Sequence, residues 1–175
     1  MKFITNFNDF LKESGNILNS NFWKWFGNSK VVDDNNKPLI CYHGSYSDFN
    51  IFKPSKSVGT HKEPNQIEGI YFTSNKEGAS FFALSTDDRF LKSVYLSFQN
   101  PYISKTHNSL KEEIGVRENS EVNAELKRLG YDSLILENGF HALGTHVLYL
   151  AFYPMQIKST NNDGSWDIDD DNINS

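Results

Sequence analysis

The sequence predicts an α+β fold dominated by a mostly antiparallel sheet, and three stretches predict it. Pro38-Leu-Ile-Cys-Tyr-His-Gly-Ser45 begins as an apolar run and ends in a polar triplet, as a buried strand does when its end opens into a cleft. Gly69-Ile-Tyr-Phe-Thr and Leu148-Tyr-Leu-Ala-Phe-Tyr-Pro-Met-Gln-Ile carry the same signature. About six short strands with few helices between them point to a sheet-dominated domain rather than an alternating β–α one.

In chain order, Phe3, Phe7, Phe10, Leu11 and Leu18 recur at helical spacing, so an amphipathic helix is expected from about Asn6 to Asn19. The first twenty residues form an N-terminal segment, and 21–175 form one domain. Phe22, Trp23, Trp25 and Phe26 predict a second helical turn stopped by Gly27. Lys30-Val-Val reads as a short strand and Asp33-Asp-Asn-Asn-Lys-Pro as a turn, with the Pro38 stretch as the second arm of the hairpin. From Tyr46 to Glu68 the pattern breaks down into a polar loop anchored by Phe49 and Phe52, of the length that lids have. Asn75 then caps a helix presenting Ala79, Phe82 and Ala83 to one side. Ser93 to Phe98 is a strand closed by Asn100-Pro101, and Ser120 to Leu129 a helix stopped by Gly130. Asp132 to Leu136 and Val147 to Phe152 are strands, separated by a loop from Glu137 to His146. The aspartate-rich end after Gln156 reads as a solvated acidic tail, with no spacing that matches a calcium loop.

Composition narrows the function. A chain of 175 residues with 14% aromatics can bury a ring-rich core, and such walls suit planar ligands. A net charge of -5 without a Lys/Arg run argues against nucleic-acid binding. One cysteine, Cys41, fits a reducing compartment, and five histidines show no zinc spacing, so no metal is expected. The start Met-Lys-Phe-Ile turns polar too early for a signal peptide, and no run reaches membrane-spanning length. A cytoplasmic protein that does not engage membranes is the expectation.

Three strand-borne signals in this order resemble the ADP-ribosyltransferase superfamily, in its diphtheria-toxin and poly(ADP-ribose)-polymerase-like branch with a His-Tyr-Glu triad. Tyr42-His43-Gly44-Ser45 is similar to the first motif, Gly69-Ile-Tyr71-Phe72 to the second, and Tyr149-Leu-Ala-Phe-Tyr-Pro-Met-Gln156-Ile-Lys-Ser to the third. Lys24-Trp-Phe-Gly-Asn-Ser-Lys-Val-Val-Asp and Leu129-Gly-Tyr-Asp resemble the related domains that phages carry in polyvalent and head-morphogenesis proteins. The resemblance spans roughly residues 22 to 173. It implies an ADP-ribosyltransferase-like fold of split β-sheets and NAD as substrate. It also implies that His43 hydrogen-bonds a ribose, that Gly44 grips the nicotinamide amide through its backbone, and that Ser45 lies beside them. Tyr71 would form one wall of the nicotinamide slot. Phe82, eleven residues on, would form the other, with Phe81 as the alternative.

The glutamate of the triad is missing. In the register set by Gln156, Leu148 occupies its position. A carboxylate there would stabilise the oxocarbenium-like charge of nicotinamide–ribose cleavage by roughly 3–4 kcal/mol. Glu137 at the end of the preceding strand, His146 on the same strand face as Leu148, or a carboxylate of the acceptor are the candidate substitutes.

The resemblance thus implies transfer of a single ADP-ribose to a protein acceptor, with a phage effector acting on a host protein as the setting. The alternative is a degenerate fold acting as a virion component or host-protein-binding module. A thiol hydrolase built on Cys41 and His43, two residues apart on one strand, is a third and more remote reading.

Overall fold

A computed structural model describes residues 18–53, 66–83, 90–141 and 144–175. Four helices and seven strands follow in the order α1 (Ser20–Phe26), β1 (Cys41–Gly44), β2 (Ile70–Thr73), α2 (Lys76–Ser80), β3 (Leu91–Leu96), β4 (Pro101–Ser104), α3 (His107–Ile114), α4 (Asn119–Arg128), β5 (Ser133–His141), β6 (Gly144–Ala151) and β7 (Ile157–Ser159). The strands form one sheet in the order β4-β5-β6-β2-β1-β3-β7. Only β4 and β5 run parallel; every other pair is antiparallel.

The two faces of the sheet bury different partners. On one, Phe72, Val94, Tyr149, Ile135 and Ile157 pack with Phe52 and Ile173. On the other, Leu134, Leu136, Leu148 and Leu150 pack beneath Leu110 of α3 and Val122 and Leu126 of α4. Alternation along each strand produces this division, because successive side chains point to opposite faces. α1 forms a third cluster, in which Phe22, Trp25 and Phe26 close around Trp166.

Local chemistry sets the helix ends. Asn19 caps α1 by accepting from Phe22 N, and Gly27 follows at φ 55°. Asn75 caps α2 by accepting from Gly78 N at 2.9 Å. Thr106 and Ser109 form a reciprocal capping box at the start of α3.

Several expectations are corrected. Lys30–Val32 is not a strand: the hairpin arm is reduced to one bridge, Val32↔Pro38. β3 lies two residues earlier than expected, and β4 and α3 are not expected from the sequence, because Pro101 looks like a strand terminator. Here Pro101 opens an edge strand, where its missing N–H costs nothing. The stretch 137–146 is not a loop: β5 continues to His141 and β6 starts at Gly144, with a register irregularity between Leu136 and Gly139. The acidic end does not simply trail into solvent. Its carboxylates are mostly exposed, but Trp166 and Ile173 are buried, and Asn172 bridges to Ile51. Lys158 organises it: its buried Nζ donates to the carbonyls of Asp170 and Asn172 at 2.8 and 2.9 Å. Residues 6–17 of the expected N-terminal helix, and 54–65 of the expected lid, lie outside the described residues.

Candidate active site

The site lies where β1 and β2 part. β1 pairs with β3 at four positions but with β2 at one, Tyr42↔Thr73. Beyond that pair, the imidazole of His43 takes the place of a ladder bond: its Nδ1 stands 2.8 Å from the carbonyl oxygen of Tyr71. A carbonyl can only accept, so Nδ1 carries the proton and Nε2 of the neutral ring keeps its lone pair. The ring packs edge-on to Phe52 at 5.0 Å and tilts against Phe72 at 5.5 Å. Burial pushes its pKa below the ordinary histidine value, and the bond to Tyr71 opposes this only in part.

Tyr71 packs on the other side of the sheet, with the Leu148 cluster. Its hydroxyl donates to Ile67 O at 2.9 Å, and burial pushes the phenol well above its usual range. The ring is thereby held neutral and fixed at both ends. His43 and Tyr71 nonetheless line one cavity of about 620 Å³, together with Gly44, Ser45, Phe82 and Leu148.

Gly44 is where the walls meet. A Cβ on it would stand 2.0 Å from the carbonyl oxygen of Ala79 in α2, so only glycine allows the helix to sit against the strand end. That close approach positions Phe82, just past α2, at the cavity; the residue is 41% exposed. Phe81 is more exposed, stands edge-on to Phe82 at 5.7 Å, and is not part of the lining.

Leu148, at the position of the missing carboxylate, and the candidate substitutes Glu137 and His146 are placed differently. Leu148 lines the cavity but is 5% exposed and leans on Gly139, where an added Cβ would meet its Cδ1 at 2.4 Å. Glu137 is exposed at the irregularity of β5 and His146 stands 3.3 Å from the Asn75 amide; neither belongs to the lining. Cys41 is buried and its thiol is pushed far up by desolvation, so it is not a poised nucleophile. Residues without an expected role in the site also face the cavity: the loop anchors Phe49 and Phe52, Lys53, Thr73 and, at the first turn of α3, His107. No motif marks His107; only the unread helix α3 brings it there.

A family model described as ADP-ribosyltransferase in polyvalent proteins matches residues 33–166. The chain belongs to this family. The match contains β1, β2, α2, α3 and β6, and so every helix and strand that lines the cavity. No curated protein matches the sequence. The family uses NAD as substrate, and the residues present fit it. A neutral imidazole with a free acceptor nitrogen suits a ribose hydroxyl, a bare backbone at Gly44 suits a carboxamide, and flat rings at Tyr71 and Phe82 suit a pyridinium. The exposed Lys53 supplies a cation toward phosphates.

Among the described residues no group of three His, Cys, Asp or Glu side chains is arranged for a metal ion. No helix among them is long and apolar enough to cross a membrane.

The site makes the stability of this ADP-ribosyltransferase domain pH-dependent in a defined direction. His43 and His107 both titrate below the ordinary 6.5 in the folded state, chiefly through desolvation. The unfolded chain therefore takes up protons first as pH falls. Their contribution is complete above 6.5 and is lost as pH drops from there through the folded values. Urea unfolding between about pH 7.5 and about pH 5 is expected to show a falling midpoint, flattened in a His43→Asn, His107→Asn double variant.

Proposed function

We propose that the chain is an NAD-dependent mono-ADP-ribosyltransferase that moves one ADP-ribose to a protein side chain and releases nicotinamide. We further propose that it serves as a phage effector in the host cytoplasm. The observation that carries the reading is the shared cavity of His43, Gly44 and Tyr71 at the parting of β1 and β2. NAD, when bound, supplies the activated glycosidic bond. The protein's part is to hold it. Nε2 of His43 accepts from a ribose hydroxyl, Gly44 offers backbone groups to the carboxamide, and Tyr71 and Phe82 enclose the ring. The half-buried walls at His43, Gly44 and Tyr71 reduce the competition of water for these bonds.

Leu148 supports transfer of one unit rather than chain growth. Extending a chain requires a carboxylate to activate a ribose hydroxyl, and an apolar side chain at this place cannot do so. Incubation of the protein with labelled NAD and bacterial lysate should label protein bands that a His43→Ala, Tyr71→Phe variant leaves unlabelled. Labels should correspond to single ADP-ribose units. Equal labelling by the two proteins, or none by the wild type, would refute transferase activity.

Leu148 also favours a second reading. Buried against Gly139, it fills the place of the catalytic carboxylate with an apolar contact, as a fold kept for binding would. On that reading the chain binds a host protein or a virion component, and NAD is either not bound or not cleaved. Nicotinamide release by the wild type at physiological NAD would eliminate it.

A further inference from the structure

We propose that His107 is a catalytic residue of this site, the base that takes the proton from the acceptor as the acceptor attacks the ribose. The inference rests on the transferase reading above and deepens it, because it assigns to a named side chain a step for which Leu148 is unsuited.

The placement follows from the sheet. β4 and β5 run side by side with Ser104 opposite Leu136, Leu136 lies opposite Leu148 on β6, and Leu148 lies opposite Thr73 on β2. Paired residues share a face, so this row leads across the sheet from the parting of β1 and β2 to the end of β4. Three residues beyond Ser104, His107 opens α3 and lines the same cavity as His43 and Leu148. It therefore stands on the far side of Leu148 from His43. The near side is closed by α2, whose Ala79 carbonyl lies against Gly44. His107 and α2 thus stand at different edges of the cavity. In the strand order β6, which carries Leu148, lies between β4, just before His107, and β1, which carries His43. On this inference His43 holds the donor and His107 faces the acceptor.

His107 is held in a manner that suits this role. The start of α3 is fixed by a hydroxyl network: Ser104 Oγ and Ser109 Oγ stand 3.0 Å apart, and Thr106 and Ser109 cap each other. Its own ring makes no side-chain hydrogen bond among the described residues, which leaves both ring nitrogens for ligand. It is half-buried, and both desolvation and the neighbouring Lys111 disfavour its protonated form, so near neutral pH it is a proton acceptor.

The step balances as follows. The acceptor's oxygen or nitrogen forms a bond to the ribose C1 of NAD, and the C1–N bond to the pyridinium breaks. That bond's electron pair stays on the ring nitrogen, so nicotinamide leaves neutral. The acceptor's proton passes to the lone-pair nitrogen of His107 and from there to water. Tyr42, His43, Tyr46, Lys53 and Tyr71 are the other titratable groups on the cavity wall, and Lys111 faces His107 from its own helix.

The test is the steady-state rate of nicotinamide release and of protein labelling, with NAD and lysate acceptors, for wild type, His107→Ala and His107→Gln across pH. The inference expects a fall in kcat of about 100-fold in both variants with KM for NAD little changed. It also expects loss of the rise in wild-type rate with pH through the histidine range, and partial rescue of His107→Ala by added imidazole. Unchanged kcat in both variants, or a loss confined to KM, or no imidazole rescue in a folded variant, overturns the role of His107 and leaves the transferase reading standing. A wild type that releases no nicotinamide overturns both.

Discussion

Replacing Gly44 by alanine should abolish NAD binding and lower stability by about 3 kcal/mol, at the upper end for overpacking a tight contact. The new methyl would lie 2.0 Å from Ala79 O, 2.9 Å from Ala83 N and 3.1 Å from Ala79 C. All three are backbone atoms, so no rotamer change relieves the clash and α2 has to move. α2 is short and is held at its start by the Asn75 cap on Gly78 N. Displacing it removes Phe82 from the cavity and widens the slot opposite Tyr71. The same substitution at Gly139 makes a useful contrast. There the Cβ would meet Leu148 Cδ1 and Cγ at 2.4 Å and Leu148 Cβ at 3.0 Å, a buried side chain rather than the backbone of α2. Gly139→Ala should therefore also lower stability, by displacing Leu148, yet leave α2 and Phe82 in place and retain NAD binding. Calorimetric titration with NAD, alongside urea unfolding of both variants, checks the pair.

Replacing Leu148 by glutamate should raise the rate of nicotinamide release by about 100-fold, the usual worth of one well-placed electrostatic group in a dry site. The position lines the cavity beside Thr73 on β2, so a carboxylate there would face positive charge developing on the ribose. The gain carries a stability cost. Leu148 is 5% exposed and packs with Leu136, Leu150 and Tyr71, so the folded variant loses apolar burial and gains a partly desolvated acid. A loss of about 2–3 kcal/mol is expected. The new carboxyl should titrate above the ordinary range, so the added rate should appear only as pH rises past that raised value. A folded variant whose rate equals the wild type would show that Leu148 is not where that charge develops.

How much of this was legible in the sequence depends on what each segment's partners are. β1, β2 and β6 were readable because each is an apolar run ending in chemically distinctive residues. The Asn75 cap and the Gly27 stop were readable because capping is local chemistry. Residues 137–146 carry the signature of a loop because glycines and polar residues look like turn signals. In the sheet, Gly139 leaves room for the Leu148 side chain of the neighbouring strand, a contact without a local signature. β4 was obscured by Pro101, which an edge position tolerates. With β4 unread, α3 and His107 could not be connected to the cavity, although His107 lies on its wall. The acidic end looked solvated because its carboxylates are; what folds it is one buried cation, Lys158, hydrogen-bonded to main-chain carbonyls that composition cannot reveal.

The proposed function stands on NAD binding where β1 and β2 part. Titrating NAD into the wild-type protein by calorimetry, with chromatography of the same sample afterwards, tests it most directly. Saturable one-to-one heat, absent from the Gly44→Ala variant, and free nicotinamide in the recovered sample are expected. A wild-type titration with no heat beyond dilution, and NAD recovered intact, would contradict it.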